Sequence, residues 1–398
     1  MRVLMVHNFY QRQGGEDLSF AAERDLLRDH GHTVVTWRVH NRVIERAAKW
    51  RVAVGTVWSA HARRKLAERV RQHGIELVHF QNTFPLLSPS VYSAAREAGT
   101  AVVQSLRNFR LGCANGLLLR GGAVCETCIG RNVPWPAVRH RCYRGSAAAS
   151  ATVAAMQTFH RARGTWKNEV DRYIALNEFG RRKHVEIGLP AERIALKPNF
   201  LAPDPGEGTG EGGYVLFVGR LSAEKGVDTL LEAWSKLADP PVLKIVGDGP
   251  MREALAQAAA GQRRIEWLGH LPHERVLALA GEALALVVPS RWYEGGPRVL
   301  FEALARGTPV VCSDLGAFRE QIVEGEVGLR FAPGDAAALA AKVAQLQHHP
   351  AARRRMRRAA RRFYLAHFTA ERNYQMLIAI YRAALAEATA RRSASRSG

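Results

Sequence analysis

The chain has 398 residues, enough for two or three domains of ordinary size, and 47% of them are hydrophobic, enough to bury sizeable cores. No apolar run reaches the roughly 18 residues expected of a membrane-spanning helix. Lys and Arg exceed Asp and Glu by 57 − 36 = 21, a surplus that suits a phosphate-rich partner, an anionic membrane surface, or a surface that is basic all over. Nucleic acid is disfavoured: Arg-rich stretches such as "AARRRMRRAARR" read as helical faces near a domain end, and no nucleic-acid-binding motif accompanies them.

The N-terminal "MRVLMVHNFY" reads as a strand. It lacks the basic start, apolar block and cleavage site of a signal peptide, so a cytoplasmic location is expected. "YQRQGGED" is a Gly-rich turn, "LSFAAERDLLRDHGH" a helix ending at Gly31, and "TVVTWRV" a second strand. "IELVHF", a helix near 88–98, "TAVVQSL", "DRYIALN" and "RIALKPN" complete the first half. Repeated switching between strand-like and helix-like periods predicts βαβ units on a parallel sheet.

Within that half, about 107–145 form an insert with four cysteines: Cys113, Cys125, Cys128 and Cys142. Their clustering, with one C-x2-C, has the spacing of a structural tetrahedral zinc site; a set of thiols is the alternative. Disulfides are disfavoured in a reducing compartment, and Cys312, inside the apolar "PVVCSD", reads as core. "GSAAASATVAAMQTFHRARGTW" follows as an apolar helix ending in cations. It reads equally as a cleft-lining helix or as one facing anionic lipid.

"FLAPDPGEGTGEGG", rich in Pro and Gly, reads as a flexible linker. Strands and helices alternate again from "YVLFVG", and the tail from about 350 to 390 reads as two helices. The expected organisation is therefore a Rossmann-like domain over 1–200, a linker over 201–212, a second Rossmann-like domain over 213–365, and a C-terminal helix over 366–398 packing back on the first domain. Two such sheets would place strand carboxyl ends around one cleft, where ligands bind in open α/β sheets.

The second half concentrates the chemistry. Arg220 lies just past a strand end and Lys225 at the next helix start, where paired cations suit a diphosphate; two solvated surface cations are the bland alternative. "VGDGP" brings Gly247 to another strand end, a weak signal taken alone. In "RWYEGGPRVLFEALARGTPVV", Gly295 and Gly296 permit close backbone approach and Pro297 suits a helix start. The helix then points its positive dipole end at a ligand. Glu294 can reach sugar hydroxyls and Glu302 ribose hydroxyls; a buried carboxylate needs such donors.

Glu294 and Glu302, separated by seven residues, match the E-x7-E motif, and the whole segment resembles that of retaining GT-B glycosyltransferases, family four. "VLFVGRLSAEKGVDTLLEA", "IVGDGP" and "SDLGAFREQI" resemble the same family in the same order. The resemblance implies a GT-B fold and a nucleotide-diphospho-sugar donor held mainly by the C-terminal domain. It also implies Arg220 and Lys225 on the diphosphate, Glu294 at the donor sugar and Glu302 at the ribose. No metal or other cofactor is implied for catalysis, because cations and helix dipoles replace it. Gly14 and Gly15 are similar to the family's first Gly-rich loop, facing donor phosphates or acceptor. "ELVHFQNTFPLLSPSV" carries His79 on the acceptor or sugar side, but Gln81 where a second histidine is common. Arg107 stands where the family has a histidine that contacts the donor sugar. An arginine stays charged and accepts no hydrogen bond; it can bind a phosphate or an acidic sugar, or pair with a carboxylate.

The resemblance implies front-face transfer with retention, to a glycan or lipid-linked acceptor in bacterial surface polysaccharide synthesis, peripheral at the inner face of the plasma membrane. Transfer to a small soluble metabolite is a second reading. A non-catalytic nucleotide-sugar-binding subunit is a third, kept open by Arg107.

Overall fold

The structure, a computed structural model, describes residues 1–10, 14–260 and 264–397. It divides into two units, Met1–Leu118 with Glu126–Pro198 and Tyr374–Gly398, and Leu119–Cys125 with Asn199–Asn373. The strands run β1 (Arg2–Phe9), β2 (Thr33–His40), β3 (Leu77–Asn82), β4 (Ala101–Leu106), a two-residue-strand hairpin β5 (Leu119–Arg120) and β6 (Ala123–Val124), β7 (Arg172–Ala175) and β8 (Ile194–Leu196). The remainder are β9 (Tyr214–Val218), β10 (Val242–Val246), β11 (Ile265–Gly269), β12 (Ala285–Val288), β13 (Val310–Ser313) and β14 (Gly328–Phe331). Each unit holds one six-stranded parallel sheet, β2-β1-β3-β4-β7-β8 in the first and β11-β10-β9-β12-β13-β14 in the second. The architecture is α/β with two Rossmann-like units, as the periodicity predicts.

Both sheets are buried on two faces, so their central strands are unbroken apolar runs rather than alternating ones. Val3 to Val6 of β1 are all inaccessible to solvent. The helices of the first half are α1 (Gly15–Asp29), α2 (Lys49–Val57), α3 (Ala60–His73), α4 (Ser90–Glu97), α5 (Trp135–Arg139), α6 (Ala147–Ala162), α7 (Thr165–Asn168) and α8 (Glu178–Ile187). Those of the second half are α9 (Val227–Lys236), α10 (Arg252–Ala260), α11 (His273–Glu282), α12 (Arg298–Ala305), α13 (Phe318–Gln321), α14 (Ala336–His348), α15 (Pro350–His367) and α16 (Ala370–Ser397). From Tyr374 onward, α16 belongs to the first unit. There Leu377, Ile378, Tyr381, Ala384 and Ala388 share a core with Phe20 and Leu27 of α1 and with Val3 and Met5 of β1. A helical stripe at i, i+3, i+4 and i+7 spacing accounts for that face.

The segment expected to be a flexible linker is a packed strap. Leu201 donates its backbone N–H to Phe368, Gly208 to Arg306, Gly210 to Gly281 and Gly212 to Glu282. The buried Arg357 guanidinium of α15 donates to the carbonyls of Gly208, Gly281, Ala283 and Arg306. The Gly-rich composition therefore serves close backbone approach to the second unit rather than mobility, and composition alone does not separate the two. Among the described residues, no helix is long and apolar enough to cross a membrane.

Candidate functional site

In the second sheet the chain runs outward from β9 through β10 to β11, then returns to the other side of β9 as β12. The topological switch point therefore lies between β9 and β12, where open α/β sheets bind ligands beyond the strand carboxyl ends. Lys225 follows β9 and Glu294 follows β12, and they meet there, Nζ to Oε1 at 2.6 Å. Ser290 Oγ and Trp292 Nε1 donate to the same Oε1 at 2.7 and 3.1 Å. Glu294 is 5% exposed, so three donors on one oxygen are the compensation that burial of a carboxylate requires. Lys225 keeps 20% of its side chain accessible and lies 5.5 Å from the Trp292 ring centre. Gly226, in the left-handed region at φ +71°, lets the chain turn here. A Cβ on it would sit 1.9 Å from the Pro289 carbonyl oxygen. Arg291 seals the base, bonding Asp228 at 2.8 Å and Thr229 Oγ1 at 2.6 Å.

The neighbouring strand ends are knitted together. Gly219 donates to Val246, Gly247 to Gly269 and Leu221 to Asp248 through backbone N–H groups. Gly247 has φ +136°, and a Cβ there would lie 1.9 Å from the Gly219 carbonyl oxygen. Only glycine fits that crossing. Arg220, beyond β9, is exposed, and among the described residues no ion pair holds it. Gly295 and Gly296 lead into α12, whose cap is Pro297, one residue earlier than the first helical turn where the sequence suggested it. Glu302 is 5% exposed on α12; its Oε1 bonds His273 Nε2 of α11 at 2.9 Å and lies 3.6 Å from Arg298 Nε.

In the first unit the predicted polar residues form an ionic cluster. Glu23 on α1 accepts from Lys197 Nζ at 2.6 Å, from Arg107 Nη2 at 3.1 Å, and from Gln81 Nε2. Arg107 Nε donates to Gln81 Oε1 at 2.7 Å. The side chains of Glu23, Lys197 and Arg107 are 2%, 0% and 3% exposed. Burial opposes ionisation of Glu23, but Lys197 and then Arg107 outweigh it and hold the carboxyl at about 2. His79 is fully buried, with Nδ1 at 2.7 Å from the Tyr381 hydroxyl and Nε2 at 2.9 Å from Ser105 Oγ. Burial takes its pKa down to about 4, with Lys197 and Arg107 acting in the same sense and Glu23 against it. His79, expected on the acceptor or sugar side, has both ring nitrogens engaged inside the fold. Arg107 takes the carboxylate-pairing role among the alternatives its chemistry left open. Gly14 caps α1 and donates to Asp17 Oδ2 at 2.8 Å, with Gly15 opening the helix. Residues 11–13 of their loop lie outside the described residues.

Among the described residues no group of three or more His, Cys, Asp and Glu is arranged to hold a metal. Cys113 is buried and directs its Sγ to Asn115 Oδ1 at 3.0 Å, Cys128 and Cys142 pack against the first core, and Cys125 is half-buried.

Ser290, Trp292, His273, Glu23 and Lys197 escaped the sequence reading. Glu23 carried a signal: at three residues after Phe20 and four before Leu27, it sits on the apolar stripe of α1, where a carboxylate needs a buried cation. Lys197, between a strand and a proline, was such a cation.

Residues 206–363 match the family model described as Glycosyl transferases group 1. The chain is 39% identical over 168 residues to a glycogen synthase of Mycobacterium tuberculosis, covering 41% of this chain and 40% of that protein. It thus spans about two fifths of that relative's length. The sucrose-phosphate synthase of Thermosynechococcus elongatus superposes with a TM-score of 0.74 at 18% identity, over 97% of this chain and 99% of that one. Anabaena Alr3699/HepE in complex with UDP-glucose superposes at 0.65 and 16% identity, over 96% and 99%. The chain therefore has the GT-B fold of those structures.

Proposed function

We propose that the protein is a retaining glycosyltransferase that moves a sugar from a nucleotide diphospho-sugar to a glycan or lipid-linked acceptor in bacterial surface polysaccharide synthesis. The observation that carries this reading is the Lys225–Glu294 pair at the switch point of the group 1 domain, with exposed Arg220 following the same strand. The fold shared with a UDP-glucose complex supports a nucleotide-sugar donor.

In this mechanism Arg220 and Lys225 hold the diphosphate. The amides of Gly295 and Gly296 and the N-terminal end of α12 add positive potential where charge develops on the leaving group. Glu294 accepts from donor-sugar hydroxyls and so fixes the ring over the diphosphate. Its pairing with Lys225, Ser290 and Trp292 places it before the donor arrives, so little reorganisation is needed on binding. Glu302 accepts from the ribose hydroxyls. The departing phosphate oxygen takes the acceptor proton on the face from which it leaves, which yields retention without a covalent intermediate. Cations and the helix end serve the role a metal plays elsewhere.

Thermal-shift and calorimetric titration against a panel of nucleotide diphospho-sugars tests the donor. One nucleotide is expected to bind selectively. Arg220→Ala and Lys225→Ala should each weaken it about ten- to a hundredfold, the loss of one charge-assisted contact of roughly 1.5–3 kcal/mol. Transfer and donor hydrolysis should fall in Glu294→Ala, and NMR of the product should show the donor's anomeric configuration. Undiminished turnover by Glu294→Ala, or nucleotide binding indifferent to both cation variants, defeats the proposal.

A further inference from the structure

The first unit contains a cavity of about 660 Å³ between α2 and α6, in the size range of small-molecule sites. Its walls include Ile44, Ala47, Val52, Ala53, Ala149 and Val153, and the Phe84–Pro85 turn adds a further part of the lining. Trp50 is 66% exposed, Val54 62% and Val43 60%, the three most accessible large apolar side chains among the described residues. Of these, Trp50 lines the cavity, and Val43 and Val54 lie on the same stretch of chain. The surroundings are basic: Lys49 and Arg144 line the cavity with one acid, Glu45, and Arg42, Arg46 and Arg51 are exposed along the same segment.

Phe84 also lines a second, small polar pocket with Asn82, Thr83, Arg107, Asn108 and Arg110. The Arg110 guanidinium lies over the Phe84 ring at 4.4 Å and over the Tyr143 ring at 5.2 Å, and these two rings meet edge to face at 5.5 Å. Tyr143 lines the large cavity. A cationic polar pocket and an apolar cavity thus share an aromatic wall. The matching ligand has a long hydrocarbon chain with an anionic group at one end. A free phosphate has no use for the apolar cavity, and a neutral chain none for the cations.

We infer that the α2–α6 cavity binds the hydrocarbon chain of a lipid phosphate, with its anionic end toward Arg144 and Arg110, and that this lipid carries the acceptor. Its role as acceptor carrier rests on the glycosyltransferase reading above; the lipid site itself does not. Ala148, exposed on α6 and lining the cavity, is the position at which a large side chain blocks it with least effect on the core.

The test is equilibrium binding of radiolabelled farnesyl phosphate to the full chain, with farnesol and inorganic phosphate as comparators. Saturable binding at one site is expected, at least tenfold tighter than farnesol and not displaced by inorganic phosphate. Ala148→Trp and Arg144→Glu should each weaken it at least tenfold while leaving the nucleotide thermal shift unchanged. Non-saturable uptake, indifference to both variants, or displacement by inorganic phosphate overturns the inference. So does binding to anionic vesicles that Trp50→Ala abolishes and farnesyl phosphate does not compete with, which would assign Trp50 to a membrane surface. Farnesyl phosphate binding in a chain that binds no nucleotide sugar would uphold the lipid site and refute the transferase reading; the reverse pattern would do the opposite.

Discussion

Glu23→Ala removes a carboxylate to which Lys197, Arg107 and Gln81 all donate. Lys197 is wholly buried and the Arg107 side chain is 3% exposed, so neither cation can recover its hydration without opening the sheet edge. At a contact near 3 Å each charge pair is worth roughly 5 kcal/mol at an effective dielectric constant of about 20, most of which was spent in desolvating the partners. Breaking a buried pair by removing one partner leaves that desolvation uncompensated, and about 3–5 kcal/mol of stability is expected to be lost. Against a typical total of roughly 5–15 kcal/mol this is a large fraction. Urea unfolding followed by tryptophan fluorescence would show the midpoint fall at an unchanged slope. Glu23→Gln, which keeps an acceptor but no charge, should lose less than Glu23→Ala. A loss below about 1 kcal/mol in Glu23→Ala would mean that water reaches the cluster, and the argument from burial would fail.

The same cluster predicts acid sensitivity. His79 is held neutral at about 4, below its usual 6.5, so an unfolded chain binds the proton first: its stability contribution is complete above 6.5 and is lost as pH falls toward 4, by about 3 kcal/mol at most. Glu23, held at about 2 against 4.5, adds a further loss between those values. His79→Asn should flatten the upper slope in stability-versus-pH curves, and an unchanged slope counts against the assignment. Gly247→Ala forces a Cβ to 1.9 Å from the Gly219 oxygen; a loss of about 1–3 kcal/mol is expected by calorimetry, and a wild-type melting temperature would show that the strand ends yield freely. Gln81→His and Arg107→His should each destabilise the first unit, and the double variant by less than the sum, with a coupling of about 0.5–3 kcal/mol in a double-mutant cycle; strict additivity refutes a direct coupling.

Both sheets were readable in advance because a strand buried on two faces must be a short apolar run. "RVLMVHNF", "VLKIVG" and "ALALVVPS" have no other use in a chain of this composition. Arg220, Lys225 and Glu294 stood out in the sequence for a related reason: they are polar residues at the ends of such runs, where nothing in packing calls for them. That Lys225 and Glu294 neutralise each other was not readable, since their positions are 69 residues apart and only the strand order β9-β12 brings them together. The Pro-Gly strap was misjudged because its hydrogen-bond partners, Gly281, Glu282 and Arg306, come from distant α11 and the end of α12.

The two departures from the family pattern in the first half, Gln81 and Arg107, are one physical unit. Gln81 accepts from Arg107 Nε through its carbonyl and donates to Glu23 through its amide, while Arg107 reaches the same Glu23. A histidine at 81 offers one ring face for two different demands: it cannot accept from a guanidinium and donate to a carboxylate at that spacing without the correct tautomer, and if protonated it adds a third positive charge to a buried site with Lys197. A histidine at 107 would leave Gln81 Oε1 without this donor and remove a charge that helps hold Glu23 ionised. Each departure therefore favours the other, and neither by itself implies lost activity. Arg107 also lines the polar pocket that shares Phe84 with the α2–α6 cavity. A permanent guanidinium at that wall, anchored on one edge by Glu23 and Gln81, provides positive potential at every physiological pH. A histidine there would switch its charge with pH.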